Sequence, residues 1–161
     1  MVQREIVALE GLDRDAVLGL ARRTGVFTEE DMGVLADMFD GCRGAGRPCG
    51  LRFCGVRDEQ GHLQGFVCFG RVRNSRNTVE IYWLAVDPDA QGNGIGHDLV
   101  EHVAMHARQE GAAQVLIETS STGAYEAARA AYRRLGFVKV GGVPDYYREG
   151  DDRVSFARRL Y

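Results

Sequence analysis

From Gln91 to Gly96 the chain reads Gln-Gly-Asn-Gly-Ile-Gly, directly before a helical apolar pattern of Ile95, Leu99, Val103 and Ala107. The first turn of a helix leaves its N–H groups without intrahelical partners and carries the positive end of the helix dipole. Gly92, Gly94 and Gly96 remove the Cβ atoms that would keep a ligand away from those groups. The chemistry offered is anion binding, with phosphate or diphosphate as the natural guest. Glycines that serve turn geometry alone are the other reading. The dinucleotide fingerprint Gly-x-Gly-x-x-Gly fails at its third glycine, and no Gly-Lys-Ser/Thr follows to make a P-loop.

Other reactive side chains give weaker signals. His102 and His106 lie four apart, which is metal-ligand spacing on a helix. The His-Glu-x-x-His pattern needs a glutamate after the first histidine, and Val103 stands there. Both histidines flank the apolar stripe, so partly buried structural roles are expected, and no metal. Cys42, Cys49, Cys54 and Cys68 show no Cys-x-x-Cys spacing. Cys54 and Cys68 sit in apolar runs and read as core. Near the end, Asp145, Glu149, Asp151 and Asp152 surround Tyr146 and Tyr147. Carboxylates beside aromatic faces would attract a cationic amine; a solvated turn is the plainer account.

The elements that must position these groups are legible in order. Arg4 to Leu9 alternates as a first strand. Asp13 suits the N-cap of a helix through Arg23, with Gly25 as its stop. Thr28 and Asp31 form a capping-box pattern for a second helix that carries Met32, Leu35, Ala36, Met38 and Phe39 and ends near Gly41. Gly41 to Gly50 reads as a loop next to the site. Leu51–Val56 and His62–Val72 make a hairpin around Asp58-Glu59-Gln60-Gly61. Val79 to Val86 is dense in β-branched and aromatic residues, with Glu80 as the only charge, and Asp87-Pro88 stops it. A helix over Ile95–Gln109, a strand over Gln114–Thr119, a helix from about Gly123 to Leu135, and a closing hairpin of Phe137–Arg148 and Arg153–Leu160 complete the chain. The expected fold class is α/β (α+β): a mixed, largely antiparallel sheet flanked by four helices.

A length of 161 residues suits one domain, taken as 1–161, with a substantial core. The formal charge of −3 argues against a nucleic-acid or anionic-membrane partner. No apolar run approaches a membrane span, and the charged N-terminus does not read as a secretory signal. Reduced thiols in a cytoplasmic protein fit the cysteine pattern better than disulfides.

The Gln91–Gly96 loop after a strand resembles the acyl-CoA motif of the GNAT superfamily of N-acetyltransferases, Gln/Arg-x-x-Gly-x-Gly/Ala. Ala131-Tyr132-Arg133-Arg134-Leu135-Gly136-Phe137 is similar to that family's later aromatic signature. Two motifs in the right order and spacing make the resemblance specific, and it extends over most of the chain. It implies acetyl-CoA as cosubstrate, with Gln91, Gly92, Asn93, Gly94, Ile95 and Gly96 around the diphosphate. It also implies backbone contacts from Leu84, Ala85 and Val86 to the pantetheine arm, through a splayed strand. Tyr132, four residues before Gly136, matches the family's general acid; packing is the ordinary alternative for such a tyrosine. The family often has asparagine where this chain has Tyr125, which leaves that contact in doubt and makes Tyr125 a candidate edge of the acceptor pocket.

Glu80 resembles the glutamate that acts as base in the histone-acetyltransferase branch. Desolvation in an apolar strand would raise its pKa toward neutrality, which suits that role. Exposure, or pairing with Arg71 or Arg73, is the alternative. The position before Gly94, often basic in the family, is Asn93, so binding would rest on backbone N–H groups and the helix dipole. Arg133 or Arg129 would be the cations within reach of the nucleotide phosphates. The early helices roof the acceptor pocket in the family, which makes Phe27, Met32 and Phe39 lining candidates; plain core is the alternative for each. Tyr146 and Asp151 of the closing hairpin are candidates on the acceptor side.

The resulting expectation is acetyl transfer from acetyl-CoA to a small-molecule or peptide amine by direct attack in a ternary complex. The rival is a non-catalytic acyl-CoA-binding or regulatory module on the same fold. The sequence leaves open the acceptor, the acyl preference and the oligomeric state, a homodimer included.

Overall fold

The computed structural model describes residues 4–41 and 50–161. The chain runs β1 (Val7–Ala8), a 3₁₀ turn (Gly11–Asp13), α1 (Arg14–Thr24), α2 (Glu29–Gly41), β2 (Leu51–Arg57), β3 (Leu63–Arg71) and β4 (Thr78–Val86). A second 3₁₀ turn (Pro88–Ala90) precedes α3 (Ile95–Gln109), β5 (Gln114–Ser120), a third 3₁₀ turn (Gly123–Tyr125), α4 (Glu126–Arg134), β6 (Val138–Arg148) and β7 (Asp151–Arg159). The seven strands lie in the order β1-β2-β3-β4-β5-β7-β6. Pairs β1–β2, β2–β3, β5–β7 and β6–β7 are antiparallel, and β4–β5 is parallel. The mixed, largely antiparallel sheet with four helices is therefore present as expected.

Local signals explain most boundaries. Thr28 and Asp31 close a reciprocal capping box: Thr28 N donates to Asp31 Oδ2 at 2.8 Å, and Asp31 N to Thr28 Oγ1 at 3.1 Å. Gly25 ends α1 as expected, and β4 ends at Val86 as expected but starts at Thr78, one residue before the run its composition marks. Two expectations are corrected and one is refined. The first strand is only Val7–Ala8, because its pairing with β2 is confined to Gly55 and Cys54. Asp13 holds the N-cap position of α1 as expected, but its carboxylate makes no cap bond to that helix: it accepts from Glu10 N at 2.8 Å and pairs with Arg57 at 2.5 Å. The last strand starts at Asp151, and Glu149-Gly150 alone make the turn. Residues 42–49 of the glycine-rich stretch, with Cys42 and Cys49, lie outside the described residues.

The described residues of Met1–Gly70 and Trp83–His102 pack as one unit, and Arg71–Tyr82 with Val103–Tyr161 as another. In the first, Val17, Leu20, Ala21, Met32, Leu35 and Phe39 of the two early helices share a core with Phe53, Phe66, Cys68 and Ala85. Met32 and Phe39 are thus core, at 3% and 2% exposure, the plainer of their two readings. In the second, Val79, Ile81, Val115, Ile117, Tyr132, Phe137 and Phe156 are buried. Strand β6, at one end of the strand order, is exposed along its whole length. Its register with β7 shifts twice, between Lys139 and Gly141 and between Val143 and Arg148, which blunts it as a template for further pairing.

Candidate active site

The loop of the first unit is built by close packing beneath it. A Cβ on Gly65 of β3 would stand 2.7 Å from Ile95 Cγ2, so glycine there lets the start of α3 lie directly on the strand. Asp87 closes β4: one carboxylate oxygen accepts from Asp89 N at 3.0 Å and the other from Arg23 at 2.5 Å. The Arg23 guanidinium and the Asp89 N–H hold the Asp87 carboxyl below its usual range. Gln91 Nε2 donates to Val86 O at 3.3 Å, and Asn93 Nδ2 to Ala90 O at 3.1 Å. Gly92 and Gly94 take φ of 81° and 82°, values that side chains with a Cβ rarely adopt. The first helical bond of α3 runs from Asp98 N to Gly94 O at 3.0 Å. Ahead of it, the N–H groups of Ile95, Gly96 and His97 have no helical carbonyl to bond.

One cation sits on this loop. Arg4 donates from Nη1 to Asp98 Oδ2 at 2.8 Å and from Nη2 to Asn93 O. Arg129 and Arg133 belong to the other unit and are engaged there. Arg129 Nη1 bonds the carbonyls of Ser120 and Thr122 at 2.7 and 2.8 Å, and the Arg133 guanidinium lies 5.4 Å from the centre of the Phe156 ring. Arg4 was missed by sequence reasoning because 89 residues separate it from Asn93, and no spacing rule links them.

Strand β4 carries the carboxylate. Its parallel register with β5 runs from Thr78↔Gln114 to Ile81↔Ile117, and β4 continues through Tyr82–Val86 beyond the last registered pair. Glu80 stands opposite Leu116, so Glu118, two residues further along β5, shares its face. Burial and the Glu118 charge push the Glu80 carboxyl up to about 7, against smaller opposing effects of the Tyr82 hydroxyl and Arg153. Arg153 Nε stands 3.5 Å from Glu118 Oε2, and its guanidinium is 4.6 Å from the centre of the Tyr146 ring. Arg71, one of the arginines considered as a partner for Glu80, turns instead to Glu110. Glu118 and Arg153 were also missed. The alternation Gln114-Leu116-Glu118 hinted at a shared face, but only the β4–β5 register puts it beside Glu80.

Tyr132 is buried on α4, 6.0 Å from the Phe156 ring centre and 6.3 Å from that of Phe137. Burial, with a smaller contribution from Tyr125, pushes its hydroxyl up to about 12, so it holds its proton at neutral pH. Tyr125 lies at the N-terminal boundary of α4, its N–H bonded to Thr122 O at 3.1 Å.

The remaining candidates fall as follows. Phe27 packs edge-on against Trp83, ring centres 5.2 Å apart, and Trp83 Nε1 points at Met38 Sδ at 3.1 Å. Tyr146 and Tyr147 make an edge-to-face pair at 5.0 Å. Asp151 corrects an expectation: its carboxylate is buried at 8% exposure and accepts from Ser120 Oγ, so it is not a solvated charge. Asp152 is likewise engaged, accepting from Asp145 N at 2.9 Å. His102 edges the Phe69 ring at 6.2 Å, and among the described residues no cluster of metal-ligating side chains forms. Cys54 and Cys68 are buried, and burial raises both thiols, which makes them poor nucleophiles.

Comparison with known proteins fits this geometry. Mycothiol acetyltransferase of Saccharopolyspora erythraea is 32% identical over 140 residues, 80% of this chain and 41% of that protein. The N-alpha-acetyltransferase RimI of Mycobacterium tuberculosis is 34% identical over 100 residues, 61% of this chain and 60% of that protein. The chain thus spans less than two thirds of the length of either relative. A crystal structure from Desulfovibrio desulfuricans, described as a GNAT-family acetyltransferase, superposes with a TM-score of 0.91 at 27% identity, covering 99% of this chain and 100% of that one. The model of the Acetyltransferase (GNAT) family matches residues 17–137, and this chain belongs to that family.

Proposed function

We propose that the chain is one N-acetyltransferase domain that moves an acetyl group from acetyl-CoA to an amine by direct attack in a ternary complex. The observation that carries this reading is Glu80, a half-buried carboxylate raised to about 7 on the strand that ends in the glycine loop.

The loop fits a diphosphate on its own geometry. Gly92 and Gly94 hold a backbone curve open to first-turn N–H groups, and a guanidinium stands beside it. Gln91 to Gly96 would hold the diphosphate of CoA, and the main chain of Leu84, Ala85 and Val86 would pair with its pantetheine arm. Bound there, acetyl-CoA supplies an activated thioester. An amine arriving as ammonium must lose a proton before it can attack, and Glu80, titrating near neutrality, accepts it directly or through water. The amine nitrogen bonds the acetyl carbon as the carbon–sulfur bond breaks. Tyr132, protonated throughout the neutral range, gives the departing sulfur a proton from its Oη and regains one when the new amide nitrogen sheds its second proton. Neither buried thiol suits a covalent acetyl-enzyme. Phe27, Tyr125 and Tyr146 are the candidates for the acceptor side. The Asp151 carboxylate, bound inward to Ser120, is assigned to ordering the last hairpin.

Two relatives carry names of different scope, a mycothiol acetyltransferase and an N-alpha-acetyltransferase. The acceptor class of this chain therefore rests on experiment. Thiol release from acetyl-CoA, followed over a panel of amines, amino acids and peptides, is expected to rise with at least one acceptor and to give an acetylated product by mass. CoA binding without thiol release across the panel would favour the non-catalytic acyl-CoA-binding module instead.

A further inference from the structure

We infer that Arg4 is the diphosphate-binding cation of the glycine loop, delivered from the start of the chain in place of the basic residue the loop lacks, and that Asp98 positions it. The inference rests on the acetyl-CoA reading above. Asn93, before Gly94, is neutral, and the helix dipole offers only roughly half an elementary charge to an anion that carries more. Asp98, in the first turn of α3, would oppose that anion if it stood alone.

Arg4 answers both needs. Its Nη1 bonds Asp98 Oδ2 at 2.8 Å, its Nη2 bonds Asn93 O, and a Cβ built on Gly94 would meet Nη1 at 3.7 Å. Those contacts fix the guanidinium against the loop at Asn93 and Gly94. They use one donor on each terminal nitrogen and leave the others for a phosphate, whose oxygens match the guanidinium fork. The reach is set by the fold: Val7 and Ala8 pair with Gly55 and Cys54, and Leu9 N bonds Phe53 O at 2.8 Å, anchoring the chain just after Arg4. The pair is only partly exposed, with side chains at 28% and 32%, so it is less screened than a surface bridge.

A purely structural pin, a screen for Asp98 and a diphosphate ligand make different predictions. Calorimetric titration with CoA separates them when set beside kcat/KM with acetylpantetheine, a donor with the same arm and no diphosphate. Arg4→Gln is expected to weaken CoA about tenfold, with the loss shrinking as salt is added, and to leave acetylpantetheine kcat/KM unchanged. Unchanged CoA affinity would overturn the inference. So would equal loss with both donors, which marks a structural pin. Full recovery of CoA affinity when Asp98→Asn is added to Arg4→Gln would also overturn it, since Arg4 would then act only by cancelling Asp98. Asp98→Asn alone provides a test that does not depend on the folding of Arg4→Gln: weaker CoA binding is expected, and tighter or equal binding would remove the positioning role. Failure of the wild-type chain to bind CoA at all would instead remove the acetyl-CoA reading on which the inference stands.

Discussion

The glycine loop and the face around Glu80 arrange charge by different means. At the loop the polarity comes mainly from the backbone: two glycines at positive φ, a helix start and one guanidinium held by Asp98 and Asn93. Around Glu80 it comes from side chains, with burial and then Glu118 raising the carboxyl and Tyr82 and Arg153 moderating it. A backbone site is fixed by conformation and has little to titrate. A side-chain site can be tuned, and its protonation changes with pH. In the proposed reaction the first suits holding a cosubstrate of constant charge, and the second suits moving protons.

The comparison is broken most severely by removing the proton-handling groups. Glu80→Gln and Tyr132→Phe are each expected to lower kcat by roughly 10²–10⁴-fold, the usual contribution of general acid–base catalysis. Calorimetric CoA affinity should stay near wild type in both. A matching loss of CoA binding would mean that these side chains shape the cosubstrate site instead.

A smaller change sharpens the same contrast. With Glu80 as base, kcat/KM should rise with pH through about 7, because the protonated carboxyl cannot accept a proton. Removing the neighbouring negative charge by Glu118→Gln makes ionisation of Glu80 easier, so the midpoint should move to lower pH. Glu80→Gln should abolish this limb of the profile. A midpoint unmoved by Glu118→Gln, measured with a non-titrating acceptor, would detach the pair.

What was legible in the sequence follows from the range of the interactions. Local rules placed β4, the start of α3 at Ile95, the stop of α1 at Gly25 and the Thr28–Asp31 capping box, because each depends on residues within a turn or a strand. For Glu80 the sequence narrowed the outcome to two, since one charge in an apolar strand must be desolvated or turned out, and only the tertiary packing decides between them. Long-range partners were not. Arg4 reaches the loop across a strand pairing of only two residues, and Glu118 meets Glu80 only through the β4–β5 register. The burial of Asp151 depends on Ser120, 31 residues away in another strand, so a turn-like composition gave no warning of it.

The division of labour is tested most directly by calorimetric titration of CoA into the wild-type chain and Gly94→Asp, with folding checked by circular dichroism. The substitution puts a Cβ at φ 82° and a negative charge beside Arg4, on the loop assigned to the diphosphate. The account predicts saturable CoA binding by the wild type and an affinity lower by about tenfold or more in the variant, equivalent to about 1.4 kcal/mol. Equal CoA affinity in the two folded proteins would contradict it.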